Sequence, residues 1–402
     1  MKSGWQTKTL SEILQKTETI NPIQSPDIEF DYIDVSSVSN QTFRIQAVQR
    51  LEGKDAPSRA RRLVKAGDIL FATVRPTLRR IAVVPDELDS QVCSTGYFVL
   101  RPKQGIDNKF LFYFLFTEDF MIQMERLQKG ASYPAVTDGE VRAQVFPHPP
   151  LPEQQRIVGI LDEAFDGIAT AKANAEKNLQ NARALFESHL QSVFNQRGEG
   201  WVEKTLAELC DIKHGFAFKS EFFTDSGEYV LLTPGNFYES GGYRDRGDKQ
   251  KYYSGEIPDG FVLSEGDLLV AMTEQAAGLL GSPALIPESG KFLHNQRLGL
   301  VTKKQDVPWT NDFFFHVFNT QAVRKAIHDS ASGVKVRHTS PTKIGEVVVS
   351  FPTSISGQRA IVSKLTELDE ETQRLESIYQ QKLAALDELK KSLLHQAFCG
   401  AL

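Results

Sequence analysis

An ungapped internal repeat constrains this chain more than any other feature, because it demands the same rigid element twice. The segment from Gln154 reads QQRIVGILDE and the segment from Gln358 reads QRAIVSKLTE. Gln154, Ile157, Val158, Leu161 and Glu163 recur as Gln358, Ile361, Val362, Leu365 and Glu367, at a constant offset of 204. The same offset carries Leu179, Leu185, Ser188, Leu190 and Phe194 onto Leu383, Leu389, Ser392, Leu394 and Phe398. A match over some forty residues without a gap is what a helix of fixed length leaves, since an insertion would rotate every later side chain off its face. The regions before the two segments also correspond, with drifting offsets. Gly4 to Leu10 answers Gly200 to Leu206, and Gly67-Asp68-Ile69-Leu70 answers Gly266-Asp267-Leu268-Leu269. Asp107 to Leu115 answers Asn311 to Asn319, and Phe146-Pro147 answers Phe351-Pro352. Order kept while spacing varies indicates one fold with variable loops. The chain therefore reads as a domain at 1–150, a helix at 151–197, a second domain at 198–355 and a second helix at 356–402.

Both helical segments lack internal proline after their first turn. In the second, Leu365, Leu368, Thr372, Leu375, Tyr379, Lys382, Leu386, Leu389 and Leu393 alternate by three and four, the spacing of a coiled-coil seam. Glu370, Glu371, Arg374, Lys390 and Lys391 are assigned to the outer faces. Leu161, Phe165, Ile168, Ala175, Leu179, Ala182 and Phe186 form the matching stripe on the first helix. Small Ala175 and Ala182 leave room for larger partners such as Tyr379 and Leu386. An antiparallel pair is expected, each helix running roughly 60 Å. The alternative, two amphipathic helices packed on their own domains, leaves such long stripes without a partner.

The domains read as α+β. Strands are expected at Tyr32–Val35, Ile69–Val74, Ile81–Val84 and Gly96–Leu100, then at Phe261–Leu263, Leu268–Met272 and Val347–Ser350. Each domain also holds a helix, beginning near Lys109 with Asp107 as N-cap and near Asp312 with Asn311 as N-cap. Phe110, Phe112, Phe114, Phe313, Phe314 and Phe318 on these helices are assigned to the cores. The fold class is thus α+β, with two similar mixed domains, each followed by a long helix, and the helices forming an antiparallel coiled coil.

Charge and composition exclude several classes. The net charge of −5 is unlike the basic balance of many nucleic-acid binders. Yet ten basic residues lie between Arg44 and Arg80, opposed only by Glu52, Asp55 and Asp68, and the local field governs a polyanion partner. No run of eighteen apolar residues suggests a membrane span, and MKSGWQTKTL lacks the apolar core of a secretory signal. Cys93, Cys210 and Cys399 make neither a disulfide framework nor a zinc pattern. A cytoplasmic location and no membrane partner are expected. No amino-methyltransferase Asn-Pro-Pro-Tyr, no GxxxxGK[ST] loop and no HExxH pair occur. Asp27, Glu52 and Lys54 do fit a PD…ExK string, in which two acids hold a metal and a lysine steadies the developing charge. A stand-alone nuclease and a protein-binding scaffold without DNA are therefore the two alternative readings. The ExK half recurs at Glu388-Leu389-Lys390, inside a helix where it is structural.

Together these features resemble the specificity subunits of type I restriction–modification systems. The sharpest local signature is Pro149-Pro150-Leu151-Pro152-Glu153-Gln154-Gln155-Arg156-Ile157-Val158. Gly67-Asp68-Ile69-Leu70, Gly266-Asp267-Leu268-Leu269 and Gly130-Ala131-Ser132-Tyr133-Pro134 are similar to the family's target-recognition domains. The chain departs at Pro352-Thr353-Ser354-Ile355-Ser356-Gly357-Gln358, which lacks the proline-rich form of the first junction. The resemblance implies a non-catalytic subunit. Each domain would read one half of a bipartite double-stranded DNA target, and the helices would set the gap and dock two methyltransferase subunits. Motor–nuclease subunits would join for cleavage. The chain would hold no cofactor of its own, S-adenosylmethionine, ATP and magnesium belonging to the partners. Half-targets roughly 34–36 Å apart suit two modules reading one face of a duplex. Candidate DNA-contacting residues are Arg59, Arg61, Arg62, Arg75, Arg79, Ser132 and Tyr133 in the first domain. In the second they are Lys219, Tyr243, Arg244, Arg246, Arg297, Lys335, Arg337 and His338. Lysines and arginines at phosphates supply salt-sensitive affinity. A bidentate side chain on a base edge supplies choice, worth about 1–3 kcal/mol.

Overall fold

A computed structural model describes residues 4–275 and 278–402. The chain divides into two compact units, residues 1–177 with 380–402, and residues 178–379. Four helices organise them: α1 (Asn108–Phe114), α2 (Leu151–Asn195), α3 (Asn311–Phe318) and α4 (Ile355–Cys399). Both long helices thus contribute one end to each unit.

In the first unit, Gln6–Thr9 pairs antiparallel with Val145–His148, tying the start of the domain to the strand that enters α2. The central sheet sets β1 (Ile69–Ala72) between β2 (Ile81–Val83) and β3 (Tyr97–Leu100), all antiparallel. A second sheet runs in the order Gln49–Glu52, Glu29–Ile33, Val92–Ser94, Ala60–Leu63, with one parallel pair, Glu29–Ile33 beside Val92–Ser94. The core joins Ile69, Phe71 and Phe98 to Phe110, Leu111 and Phe114 of α1, Ile157, Val158 and Leu161 of α2, and Leu394 and Ala397 of α4. Sequence-distant helix ends therefore close one core, and that burial provides the main driving force.

The second unit repeats the plan. Trp201–Thr205 pairs with Val348–Pro352. Its main sheet places β4 (Leu268–Ala271) between β5 (Pro283–Leu285) and β6 (Leu298–Lys303), with Cys210–His214 beyond β6. A smaller sheet contains Phe223–Thr224, Tyr252–Tyr253, Tyr229–Leu231 and Phe292–Leu293. Phe313, Phe314 and Phe318 of α3 are buried with Leu268 and Val270, while Phe194 of α2 and Ile361 and Val362 of α4 pack on them.

Within each unit the long helices run antiparallel. In the first, the start of α2 and the end of α4 share the core, and farther along Lys172 pairs with Asp387 at 2.6 Å. In the second, the end of α2 and the start of α4 share the core, and Arg183 pairs with Glu376 at 3.0 Å. The expected stripe on α2 holds: Leu161, Ile168, Ala175 and Ala182 are buried and Phe165, Leu179 and Phe186 half-buried.

The seam of α4 departs from the expected heptad after Tyr379. Leu386 and Leu393 keep their places, but Lys382 and Leu389 are exposed, and Leu383, Lys390, Leu394 and Ala397 face inward instead. An α-helix turns in 3.6 residues, so a strict 3.5-residue repeat drifts, and two successive steps of four restore the face. Lys390, assigned to an outer face, consequently lies with its ammonium 4.9 Å from the Phe165 ring centre and 5.7 Å from that of Phe43. Burial lowers its pKa, with Lys172 and Arg79 adding repulsion.

Other expectations are corrected locally. Asp107 caps α1 by accepting from Phe110 N at 2.9 Å, as expected. The N-cap of α3 is Thr310, one residue before Asn311. The Asn311 amide instead donates to Gly266 O at 2.8 Å, as Asn108 does to Gly67 O at 2.7 Å. The true correspondence is Asn108 with Asn311, one residue from the sequence match. Phe112 is only half-buried. Phe261–Leu263 is not a strand but a loop making one bridge, Val262 to Leu293. The strand expected at Tyr32–Val35 ends at Ile33, because Asp34 starts a short 3-10 turn by accepting from Ser36.

Candidate nucleic-acid interface

The two domains build the same loop against the same strand end. In the first, Lys129 and Ala135 exchange backbone hydrogen bonds of 2.9 Å each, closing a tight loop. Val136 N donates to Thr73 O at 3.0 Å, hooking that loop onto the residue after β1. In the second, Ser332 and His338 exchange bonds of 3.0 and 2.8 Å, and Thr339 N donates to Met272 O at 3.0 Å, just after β4. Each loop turns on a left-handed glycine, Gly130 at φ 104 and Gly333 at φ 101. A Cβ at Gly333 would meet Val336 O at 2.1 Å, so only glycine fits there. The backbone is thus duplicated while the side chains differ: Ala131-Ser132-Tyr133 in one, Val334-Lys335-Val336 in the other.

Around the first loop the structure gathers Arg75, Ser132 and Tyr133. Arg75 N donates to Pro134 O at 2.7 Å and its guanidinium to Ser132 O at 3.1 Å. The same guanidinium lies 5.0 Å from the centre of the Tyr133 ring, a cation–π distance. Arg75 and Arg79 bracket a 3-10 turn and both have left-handed backbone, φ 50 and φ 54. Such strain in a non-glycine residue costs about 1–3 kcal/mol and gathers at functional sites. Arg59 is exposed, and its carbonyl accepts from Thr95 N at 2.8 Å, beside Gly96, whose carbonyl accepts from Thr73 N at 2.9 Å.

Two first-domain candidates are taken up by partners within the protein. Arg62 is half-buried and paired with Asp138 at 2.7 Å. Arg61 turns its guanidinium onto the carbonyls of Ala60 and Pro57, at 2.7 and 3.4 Å.

Around the second loop the structure gathers Arg297, Lys335, Arg337 and His338. Arg297 O accepts from Met272 N at 2.9 Å, and Thr273 and Glu274 pair in register with His338 and Arg337. Lys335 and His338 are exposed. Arg337 is half-buried, its guanidinium on the carbonyl of His328 at 2.7 Å and against that residue's ring. Glu274 is buried, accepting from Gly278 N and Leu280 N at 3.0 and 2.9 Å.

Tyr243, Arg244 and Arg246 form a separate group on the loop after Phe237. Tyr243 packs edge-on against Phe292, ring centres 5.2 Å apart, and burial pushes its phenol up to about 12. Arg244 is exposed with its guanidinium 5.8 Å from the Tyr238 ring centre. Lys219 stands on another surface turn near Glu221, at 3.9 Å.

Sequence reasoning missed Lys129 and Thr273, which border the loops; only their pairing across the hairpin, Lys129 to Ala135 and Thr273 to His338, reveals them. It also missed the ion pair that steadies the first sheet. Arg101, at the end of β3, donates twice to buried Asp68 at 2.8 Å and once to Glu18 at 2.5 Å.

The residues of the PD…ExK string lie on the surface, and Glu52 holds the Lys54 ammonium. Among the described residues, no group of three or more His, Cys, Asp or Glu side chains is placed to hold a metal ion. Burial pushes the thiols of Cys93 and Cys210 up to about 12, away from thiolate chemistry. None of the described helices is long and apolar enough to cross a membrane.

Comparison with known proteins agrees with this duplicated arrangement. The specificity subunit of the type I restriction enzyme EcoBI of Escherichia coli is 26% identical over 242 residues, 58% of this chain and 44% of that protein. The HindI specificity subunit of Haemophilus influenzae is 29% identical over 192 residues, 46% of this chain and 40% of that protein. The chain thus spans less than half the length of these relatives in each match. Among solved structures, a chain from work on complex assembly and conformational transition of the type I R-M system superposes with a TM-score of 0.85 at 25% identity, covering 99% of this chain and 98% of that one. The HsdS subunit from Thermoanaerobacter tengcongensis superposes with a TM-score of 0.70 at 25% identity, covering 100% and 98%. The model of the type I restriction modification DNA specificity domain matches twice, over residues 2–180 and 198–384. With both halves matched in succession, the chain belongs to the type I restriction–modification DNA specificity family.

Proposed function

We propose that this chain reads a two-part double-stranded DNA target for a type I restriction–modification complex. One observation carries the reading: the same pinned loop is built twice, with exposed basic residues beside it and different side chains at its tip. A common backbone with unlike tips is what two different half-targets require, because phosphate contacts position a reader and side chains at base edges choose. Arg59, Arg75 and Arg79 in the first domain, and Arg297, Lys335 and His338 in the second, are the groups that would meet phosphates and bases. The antiparallel α2 and α4 would set the gap between half-targets and dock two methyltransferase subunits.

In this reading the chain performs no chemistry. Adenine methylation with S-adenosylmethionine, and cleavage driven by ATP and magnesium, belong to the methyltransferase and motor–nuclease partners. The complex would work on DNA in the cytoplasm. The test is to map methylated adenines in DNA from cells carrying this chain with its methyltransferase. A two-part motif with a fixed gap is expected, and deleting one turn from both long helices, about 5.4 Å, should change the gap or abolish methylation. Methylation without any two-part motif would overturn the reading.

A further inference from the structure

We propose that Tyr133 is a base-stacking residue, packing its open ring face on an unstacked nucleobase in the half-target read by the first domain. The proposal rests on the DNA-reading function above and goes beyond it by giving one residue a task in exposing the base to be modified.

Tyr133 is 71% exposed, more than any other aromatic side chain among the described residues. Its loop nevertheless has little freedom. Arg75 N holds Pro134 O, the Arg75 guanidinium holds Ser132 O, and the Lys129–Ala135 pair closes the base. At Gly130 a Cβ would meet Tyr133 O at 3.1 Å, so the turn is tight as well as left-handed. A ring on such a mount loses little freedom when it binds. One face of the ring is taken by the Arg75 guanidinium, and Arg75 accepts a left-handed backbone to put it there. The other face is open. The flanking charge is positive, which suits a polyanion.

A flat ring backed by a cation is a platform for another flat ring. Stacking of a base on an aromatic side chain is worth about 1–3 kcal/mol. In an intact duplex every base is already stacked on its neighbours, so Tyr133 finds a partner only where a step opens. An enzyme that modifies a base opens such a step by swinging the nucleotide out of the helix, and inserted side chains commonly support the gap. The corresponding residue of the second loop is Val336, with exposed Val334 at the tip. Valine offers contact without a stacking face. Loss of the Tyr133 ring should therefore affect one half-target and spare the other.

The experiment uses the full chain assembled with its methyltransferase and a duplex containing both half-targets. Single-turnover methylation is measured at each half-target, and unstacking is read in separate duplexes that carry 2-aminopurine in place of each target adenine in turn. Tyr133→Ala should lower the rate at one half-target about tenfold or more and weaken the 2-aminopurine signal there. The other half-target should stay within about twofold, and DNA affinity should fall less than the rate. Tyr133→Phe should restore both readouts, since the ring and not the hydroxyl is at work. Equal loss at both half-targets, unchanged rates, or no rescue by phenylalanine would each overturn the proposal. If the wild-type complex methylates no two-part target, the DNA-reading function fails first and the proposal falls with it. If the wild type does and Tyr133→Ala behaves like it, the proposal alone falls.

Discussion

Phe398, near the end of α4, packs against Phe110 of the first domain with ring centres 4.7 Å apart. The second unit makes the same contact from the other helix, Phe194 of α2 against Phe313 at 5.5 Å. The pairing is matched at the opposite helix ends by two buried glutamines. Gln154 accepts from Asp107 N at 2.8 Å and donates to Gly105 O and Pro149 O. Gln358 accepts from Thr310 N at 3.0 Å and donates to Pro308 O and Pro352 O. Each domain is thus clamped by the start of its own helix and the end of the other.

Phe398→Ala should loosen the first unit selectively. Deleting a buried phenylalanine costs about 3–5 kcal/mol, and Phe398 is only half-buried, so a loss of roughly 2–3 kcal/mol is expected. Hydrogen exchange should quicken in α1 and leave α3 unchanged, while Phe194→Ala should do the reverse. Equal quickening in both helices from either substitution would contradict separate clamps.

Much of this was legible in the sequence. The constant offset of 204 carries Gln154 onto Gln358 and Phe194 onto Phe398 because a helix tolerates no gap, and those residues proved to be the clamps. The α+β class and the burial of Phe110, Phe114, Phe313, Phe314 and Phe318 followed from periodicity and capping. Lys390 was misplaced because a seam repeat of 3.5 was extended past the point where the helix steps over it. Asn311 was misread as a cap because asparagine suits both a cap and a side-chain bond to a loop carbonyl, and only the fold brings Gly266 O within reach. The candidate DNA residues were the least legible. Arg75 and Tyr133 meet only because residues 58 positions apart share a strand end, which no local pattern encodes.

Asp68→Ala should destabilise the first unit by about 3–5 kcal/mol, the usual cost of stranding one partner of a buried ion pair. The side chains of Asp68 and Arg101 are 2% and 10% exposed, so water cannot take over. The Asp68 carboxylate holds the Arg101 pKa up, with Glu18 as the second partner. Replacing both, Asp68→Leu with Arg101→Met, should recover a large part of the loss in urea unfolding. A double variant as unstable as the single one would show that the backbone bond from Lys65 N to Asp68, 2.8 Å, matters more than the charges.

Lys335→Ala separates positioning from choice. Its exposed ammonium at the tip of the second loop would meet phosphate in the proposed complex, so affinity should fall alike for target and unrelated DNA. The slope of log K against log salt should become shallower by about 0.9. Arg75→Ala removes a loop tether as well as a charge, and should shift sequence preference in the first half-target beyond any change in salt slope. A change of motif from Lys335→Ala would instead place that side chain on a base edge.

Acid should weaken the second unit through two histidines, His294, which is buried, and His316, which is half-buried. His294 donates from Nε2 to Leu298 O at 2.9 Å, and its Nδ1 is buried without a partner; His316 Nδ1 is in the same position. Burial drives both imidazoles down to about 4 from the usual 6.5. The unfolded chain therefore binds more protons than the folded one between those values, and stability must fall as pH drops through that window. Each group opposes folding by at most about 3 kcal/mol once the pH is below 4, and by almost nothing above 7. His316→Phe fills the space beside Phe315 without a titrating group, and His294→Gln keeps a donor for Leu298 O. The double variant should match the wild type in pH sensitivity above 7 and lose stability less steeply between pH 6.5 and 4 in urea unfolding. Identical slopes in that interval would mean that both rings are protonated in the native state, against the desolvation that lowers them.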